Sequence, residues 1–323
     1  MTPPRSPTSR LDGNSDLPAS TDPARRSGLG AAEVIVLIGL AGFFLLWFLT
    51  ALPRWRETAR MAGCQKNMMQ IGVALQLYHQ ANRHYPTPPS LGRAGGDSPV
   101  AALLNSLSLP DFIGLKDPTQ SVKPSRAAVA GLRVPGLACP SDQAAMAGRF
   151  ATALSYRADA GDTPDGRHGP FEPGRVLNGA AIEASHGLSY TSGFAERLVG
   201  TGLDGRLGLA NYAASAGPVG SGGCIDPPAT LRRGDAGSNW GEPGWRSALY
   251  NHVLTPGAAG SCLAEDGWTA AMGISSAHPN RVNVLLMDGS LRGVTPTIDP
   301  KVWRALGTVE AEASTGPPAV KGP

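Results

Sequence analysis

The chain of 323 residues carries 42 glycines and 29 prolines, only 6% aromatic residues, and a formal net charge of +3. So much turn-forming sequence with so few aromatics predicts short strands and long turns after any first helix. No lysine and arginine block is arranged to track a phosphate backbone, so nucleic acid is not an expected partner.

Residues 1–28 are rich in Pro, Ser, Thr, Asp and Arg, without hydrophobic period, and read as a disordered basic leader ending in Arg25-Arg26-Ser27-Gly28. From 34 to 52 the chain is uncharged and apolar on every face, close to the ~20 residues a bilayer core requires. Glu33 stands at the start of that run, where a carboxylate is costly and therefore functional or paired.

The pattern then turns amphipathic. Met61, Cys64, Met68, Ile71, Leu75 and Tyr78 recur at three and four residues and draw one stripe, with Arg60, Gln65, Lys66, Gln70 and Gln76 off it. Pro53 can kink the helix between the two halves without abolishing either. A helix is expected over 29–83, membrane-spanning at 34–52 and amphipathic at 54–82, ending before Pro86, Pro88 and Pro89.

Residues 84–308 read as an extracytoplasmic head, and 309–323 as a disordered tail. Residues 99–115 suit a short helix and loop. Residues 137–142 suit a strand end followed by a turn. Strands are expected at 194–199, carrying a Glu196–Arg197 ion pair, and at 211–215. Apolar runs at 281–287 and 290–294 flank Asp288-Gly289, a strong hairpin signal. Residues 302–306 suit one or two helical turns.

Cys64, Cys139, Cys224 and Cys262 form no C-x-x-C pair and no zinc-ligand spacing with histidine, so no metal is expected. An even number outside a membrane favours disulfides, with three pairings open. His278 and Asp288, with Ser275 or Ser276, could be read as catalytic. The turn requirement at Asp288, and a backbone hydrogen bond for His278, make the better reading structural. His252 is read the same way. Asp159, Asp162 and Asp165 loosely suggest a calcium loop but lack its order and closing Glu. With no G-x-S-x-G, H-E-x-x-H or phosphate loop, no enzymatic activity and no cofactor is expected.

Gly28-Leu29-Gly30-Ala31-Ala32-Glu33 resembles the type IV prepilin and pseudopilin processing signature. The resemblance implies cleavage by a prepilin peptidase between Gly28 and Leu29, methylation of the new N-terminus, and pairing of Glu33 with a neighbouring subunit's amine. His278, nine residues, then Asp288-Gly289 resembles the H-x9-DG signature of a prepilin-like family of unknown function best known from planctomycetes. Cys64-Gln65-Lys66-Asn67-Met68-Met69-Gln70-Ile71-Gly72 and Cys139-Pro140-Ser141-Asp142 resemble two further stretches of it.

Taken together, these imply an α+β, type IV pilin-like fold, a long N-terminal helix packed on an antiparallel sheet. They imply an inner-membrane protein with its N-terminus cytoplasmic and its head periplasmic. Its partners would be the membrane, a prepilin peptidase, and other pseudopilins of a type II secretion or pilus-like assembly. Leu29 stands where the signature commonly has Phe, so the alternative is a non-filamentous anchored surface protein whose head binds a ligand such as polysaccharide.

Overall fold

The computed structural model describes residues 30–92, 95–104, 106, 131–206, 208–224 and 231–310. Gly28 and Leu29, most of the expected loop at 99–115, and 311–323 lie outside the described residues. The chain divides into two units, one ending at Leu52 and the other beginning at Pro53.

Helix α1 runs over Ala31–Asn82 and includes Pro53. At its start the Gly30 N–H donates to Glu33 Oε2 at 2.9 Å, so the carboxylate serves an otherwise orphaned donor at the positive end of the helix dipole. In the first unit the large apolar side chains face outward all round, as Ile35 at 69% exposure and Leu46 at 67% illustrate. This stretch is long and apolar enough to cross a membrane.

In the second unit the amphipathic stripe is buried as its spacing predicts. Cys64, Met68, Ile71, Ala74 and Leu75 are covered by the head, while Met69, Val73 and Leu77 face solvent. The covering surface is a five-stranded sheet ordered β5-β1-β2-β8-β9. Its strands are β1 (Tyr156–Asp159), β2 (Ser192–Glu196), β5 (Leu249–Tyr250), β8 (Val282–Leu286) and β9 (Leu291–Val294).

Alternation in β8 sends its side chains to two different cores. Leu285 joins the stripe of α1, whereas Val282, Val284 and Leu286 pack with Tyr250, Ile274 and Trp303. Gly72 makes close approach possible, because a Cβ there would lie 3.1 Å from Leu285 Cδ1. Amides on the flanks of the stripe add polar ties. Asn67 Nδ2 donates to the Ala138 carbonyl and to Tyr156 Oη, and Gln76 Nε2 donates to the Met287 carbonyl at 2.8 Å. Gln65 and Gln76, placed off the stripe by spacing, therefore still touch the head.

A second sheet is ordered β4-β3-β6-β7, from β3 (Tyr212–Ser215), β4 (Arg232–Arg233), β6 (Cys262–Ala264) and β7 (Ala270–Ala271). The head is thus α+β, but its sheets are mixed rather than purely antiparallel. β1 runs parallel to β5, and β3 runs parallel to β6. Both pairs are joined by long connections, which carry no orientation signal of the kind a tight turn carries.

The hairpin forms as expected. Gly289 takes φ +89°, and Asp288 Oδ1 accepts from the Ser290 N–H at 2.8 Å. The segment ahead of Cys139 is a 3-10 turn, Pro135–Leu137, instead of a strand end. Near the C-terminus, helix Pro300–Leu306 buries Trp303. Val309, expected in a loose tail, is buried, and its N–H donates to the His168 carbonyl.

Candidate functional site

Three of the residues singled out in the sequence, Cys64, Cys139 and His278, converge where α1 meets the head. Cys64 of α1 is bonded to Cys139, closing a sequence separation of 75 residues, and Cys224 is bonded to Cys262. Beside the first disulfide lies His278, whose side chain is fully buried. Its Nε2 is 3.7 Å from Cys139 Sγ and 3.4 Å from Glu196 Oε1. Its Nδ1 is 2.8 Å from Glu57 Oε1. The ring therefore meets two carboxylates, not the backbone acceptor expected for it.

Each carboxylate is held from several sides. Glu57 accepts Ser141 Oγ on one oxygen and the Arg60 guanidinium on the other. Glu196 accepts Asn283 Nδ2 on Oε1, and the Asn283 N–H and Ser276 Oγ on Oε2. The expected Glu196–Arg197 pair does not form, because adjacent residues of an extended segment point to opposite faces. Arg197 turns instead to Ser261 Oγ and the Gly273 carbonyl.

Burial alone would push the His278 pKa down. The hydrogen bonds and charges of Glu196 and Glu57 outweigh it, and the pKa rises above its ordinary value. Burial opposes the charge on Glu57 as well, but His278, Arg60 and Ser141 hold its carboxyl below the usual range. The cluster is an imidazole ring clamped between two carboxyl groups, and it joins α1, β2 and the loop before β8.

The turn Cys139-Pro140-Ser141-Asp142 contributes at every position. Cys139 carries the disulfide, and Pro140 faces Gly63, where a Cβ would lie 3.2 Å from its Cγ. Ser141 reaches Glu57, and Asp142 caps helix Gln143–Met146 while accepting the Val199 N–H at 2.8 Å. Burial raises the Asp142 pKa although four hydrogen-bond donors, the Val199, Ala145 and Ala144 N–H groups and Ser155 Oγ, oppose it.

Cys64, Cys139, Glu196 and His278 place one potential ligand atom each within 4.8 Å of one another. The donor set fits a metal poorly as it stands, since both sulfurs are spent in the disulfide and metal binding requires thiolates. Neither Ser275 nor Ser276 offers its hydroxyl to the His278 ring. Ser276 Oγ donates to Glu196 and accepts the His278 N–H, and Ser275 Oγ donates to the Leu209 carbonyl.

His252 lies elsewhere, stacked on Trp303 with ring centroids 3.8 Å apart. Its Nε2 is 3.1 Å from Asp159 Oδ2, both side chains are fully buried, and burial pushes Asp159 up to about 6. The acidic loop separates into private pairs, Asp159 with His252, Asp162 with His168 and Asp165 with Arg167.

Residues 53–301 match a family described as a protein of unknown function, DUF1559. The chain belongs to this family. Every member of the cluster, from Glu57 to His278, falls inside the DUF1559 match, as do Asp288 and Gly289; Gly28, Leu29 and Glu33 lie ahead of it. No curated protein and no solved structure matches the chain.

Of the cluster, only Glu57 is absent from the sequence reading, although its phase with Met61, Cys64 and Met68, an acid on an apolar stripe, marks it. Glu196 lies in the expected strand region, with His278 and not Arg197 as its partner.

Proposed function

We propose that this DUF1559 chain is a single-pass, membrane-anchored, pseudopilin-like subunit without enzymatic activity, inserted in the cytoplasmic membrane with its head outside. The observation that carries the reading is the division of α1. Its first part presents apolar side chains on every face, and its second part is bound to the head by a stripe, a disulfide and the Glu57–His278–Glu196 cluster. A subunit drawn from a bilayer into a helical bundle must transmit force from helix to head without the helix peeling away. The prepilin-like segment ahead of α1 supports a prepilin peptidase as processing partner, and neighbouring subunits as assembly partners through Glu33.

Replacing Glu33 with Ala tests this. Membrane insertion is expected to persist while co-assembly, measured by in-membrane crosslinking between subunits, is lost; unchanged crosslinking would overturn the assembly role.

An open groove of about 530 Å³ favours the second reading, a surface protein with a ligand-binding head. Tyr212, Arg233, Asp235, Glu242, Trp245 and Arg246 line it, a mixture of aromatic faces and paired charges that suits a polar, sugar-like ligand.

A further inference from the structure

The β1–β2 ladder carries two arginines that the cluster does not use. Arg157 pairs in register with Ala195, and the Arg197 N–H donates to the Ser155 carbonyl. The two side chains therefore leave the same face of the ladder as diagonal neighbours. Both are buried, at 0% and 1% exposure. Neither has a carboxylate within ion-pair distance among the described residues.

Their hydrogen bonding is used in the same way. Arg157 Nη1 donates to the Trp245 carbonyl at 3.3 Å, and Arg197 Nη1 donates to Ser261 Oγ at 3.0 Å and to the Gly273 carbonyl. Among the described residues, Nε and Nη2 of both have no partner. Those two nitrogens form the side edge of the guanidinium plane, the fork that grips a carboxylate or phosphate through parallel hydrogen bonds. Gly237 packs its backbone closely against one fork, since a Cβ there would stand 2.9 Å from Arg157 Nη2 and 2.6 Å from the Leu154 carbonyl. Trp245 Nε1 is a further buried donor without a partner.

Two like charges buried side by side repel, and each has lost its water; an unpaired buried ion is strongly unfavourable. Burial lowers the Arg197 pKa to about 10, and burial with the neighbouring Arg197 charge holds Arg157 well below its ordinary value against the pull of Asp142 and Asp235. Arg157, Arg197 and Trp245 contribute only donors to the unpartnered atoms, and the one acceptor among them, Asp159 Oδ2, faces His252 Nε2 at 3.1 Å. Bridging water would satisfy the hydrogen bonds but not the charge.

We propose that Arg157 and Arg197 together hold one small oxyanion between the two sheets of the head, gripped by their paired Nε and Nη2 forks. Tyr212 and Trp245 line the open groove, and the Trp245 carbonyl holds Arg157, which puts the groove beside the pair. The ligand chemistry is a carboxylate or a tetrahedral phosphate or sulfate, and the site does not depend on the pseudopilin reading.

The test uses the full chain in detergent, purified in chloride without oxyanions. Ion chromatography of the acid-denatured protein is expected to release about one oxyanion per chain, or, if it exchanged away, phosphate, sulfate or acetate should raise the melting temperature by a few degrees above equal ionic strength of chloride. The acetate arm separates carboxylate from tetrahedral ligands. Arg157→Met and Arg197→Met, checked for folding by circular dichroism, should each abolish the retained anion and the shift. No retained anion and no oxyanion-specific shift in the unaltered chain would overturn the proposal, leaving bridging water only. Retention or a shift of equal size in both folded variants would overturn it too, as binding elsewhere; if neither variant folds, the unaltered chain's result decides.

Discussion

Glu57 and His278 stand 2.8 Å apart across 221 residues of sequence, and through that contact α1 is ionically fastened to the head. Removing one partner of such a pair strands the other, which costs about 3–5 kcal/mol when both are fully buried. Glu57 is partly exposed, so solvent screening reduces this, and Glu57→Gln is expected to cost about 1–2 kcal/mol in chemical denaturation. An unchanged denaturation midpoint would mean that the contact does not fasten the helix.

The same pair predicts a pH dependence with a definite sign. His278 has a raised pKa, so its contribution is complete below its unfolded value near 6.5 and is lost as pH climbs through the folded value. Glu57 has a lowered pKa, so its contribution is present above about 4.5 and is lost as pH falls through the folded value. The melting-temperature gap between the unaltered chain and His278→Gln should be widest between those limits and shrink toward pH 9. Taking the difference cancels Asp159, which titrates in the acid part of the range in both proteins. A gap that grows with alkalinity would contradict the assignment.

The Cys64–Cys139 disulfide closes a long loop, for which chain entropy gives about 4 kcal/mol as an upper figure. A Cys64→Ser, Cys139→Ser chain should therefore melt well below the unaltered one. Adding a reductant should lower the melting temperature of the unaltered chain further than that of the double variant, whose only remaining disulfide is Cys224–Cys262.

Gly72 offers a packing test. A valine there must push against Leu285, and overpacking of this kind costs about 1–3 kcal/mol. The loss should appear as a lower denaturation midpoint, with membrane insertion unaffected.

Much of this was legible because local chemistry repeats or stands adjacent. The three-and-four spacing from Met61 to Tyr78 marks the buried face of α1, and Asp288-Gly289 marks the hairpin by supplying the positive φ that such a turn demands. The parallel pairs β1–β5 and β3–β6 were not legible, since strand order across long connections is decided by packing. Disulfide partners are likewise set by the fold and not by spacing. Glu196 and Arg197 show how adjacency misleads, because neighbours in an extended chain face apart. Glu57 was legible in principle, as a charge standing in phase with an apolar stripe.

The central claim, that this chain is processed and assembled as a pseudopilin, is tested most directly by the mass of the mature N-terminus. The account predicts a chain isolated from membranes that begins with an N-methylated Leu29 and lacks residues 1–28. A chain recovered with those residues attached and its N-terminus unmethylated would contradict it, leaving an uncleaved anchor for a ligand-binding head.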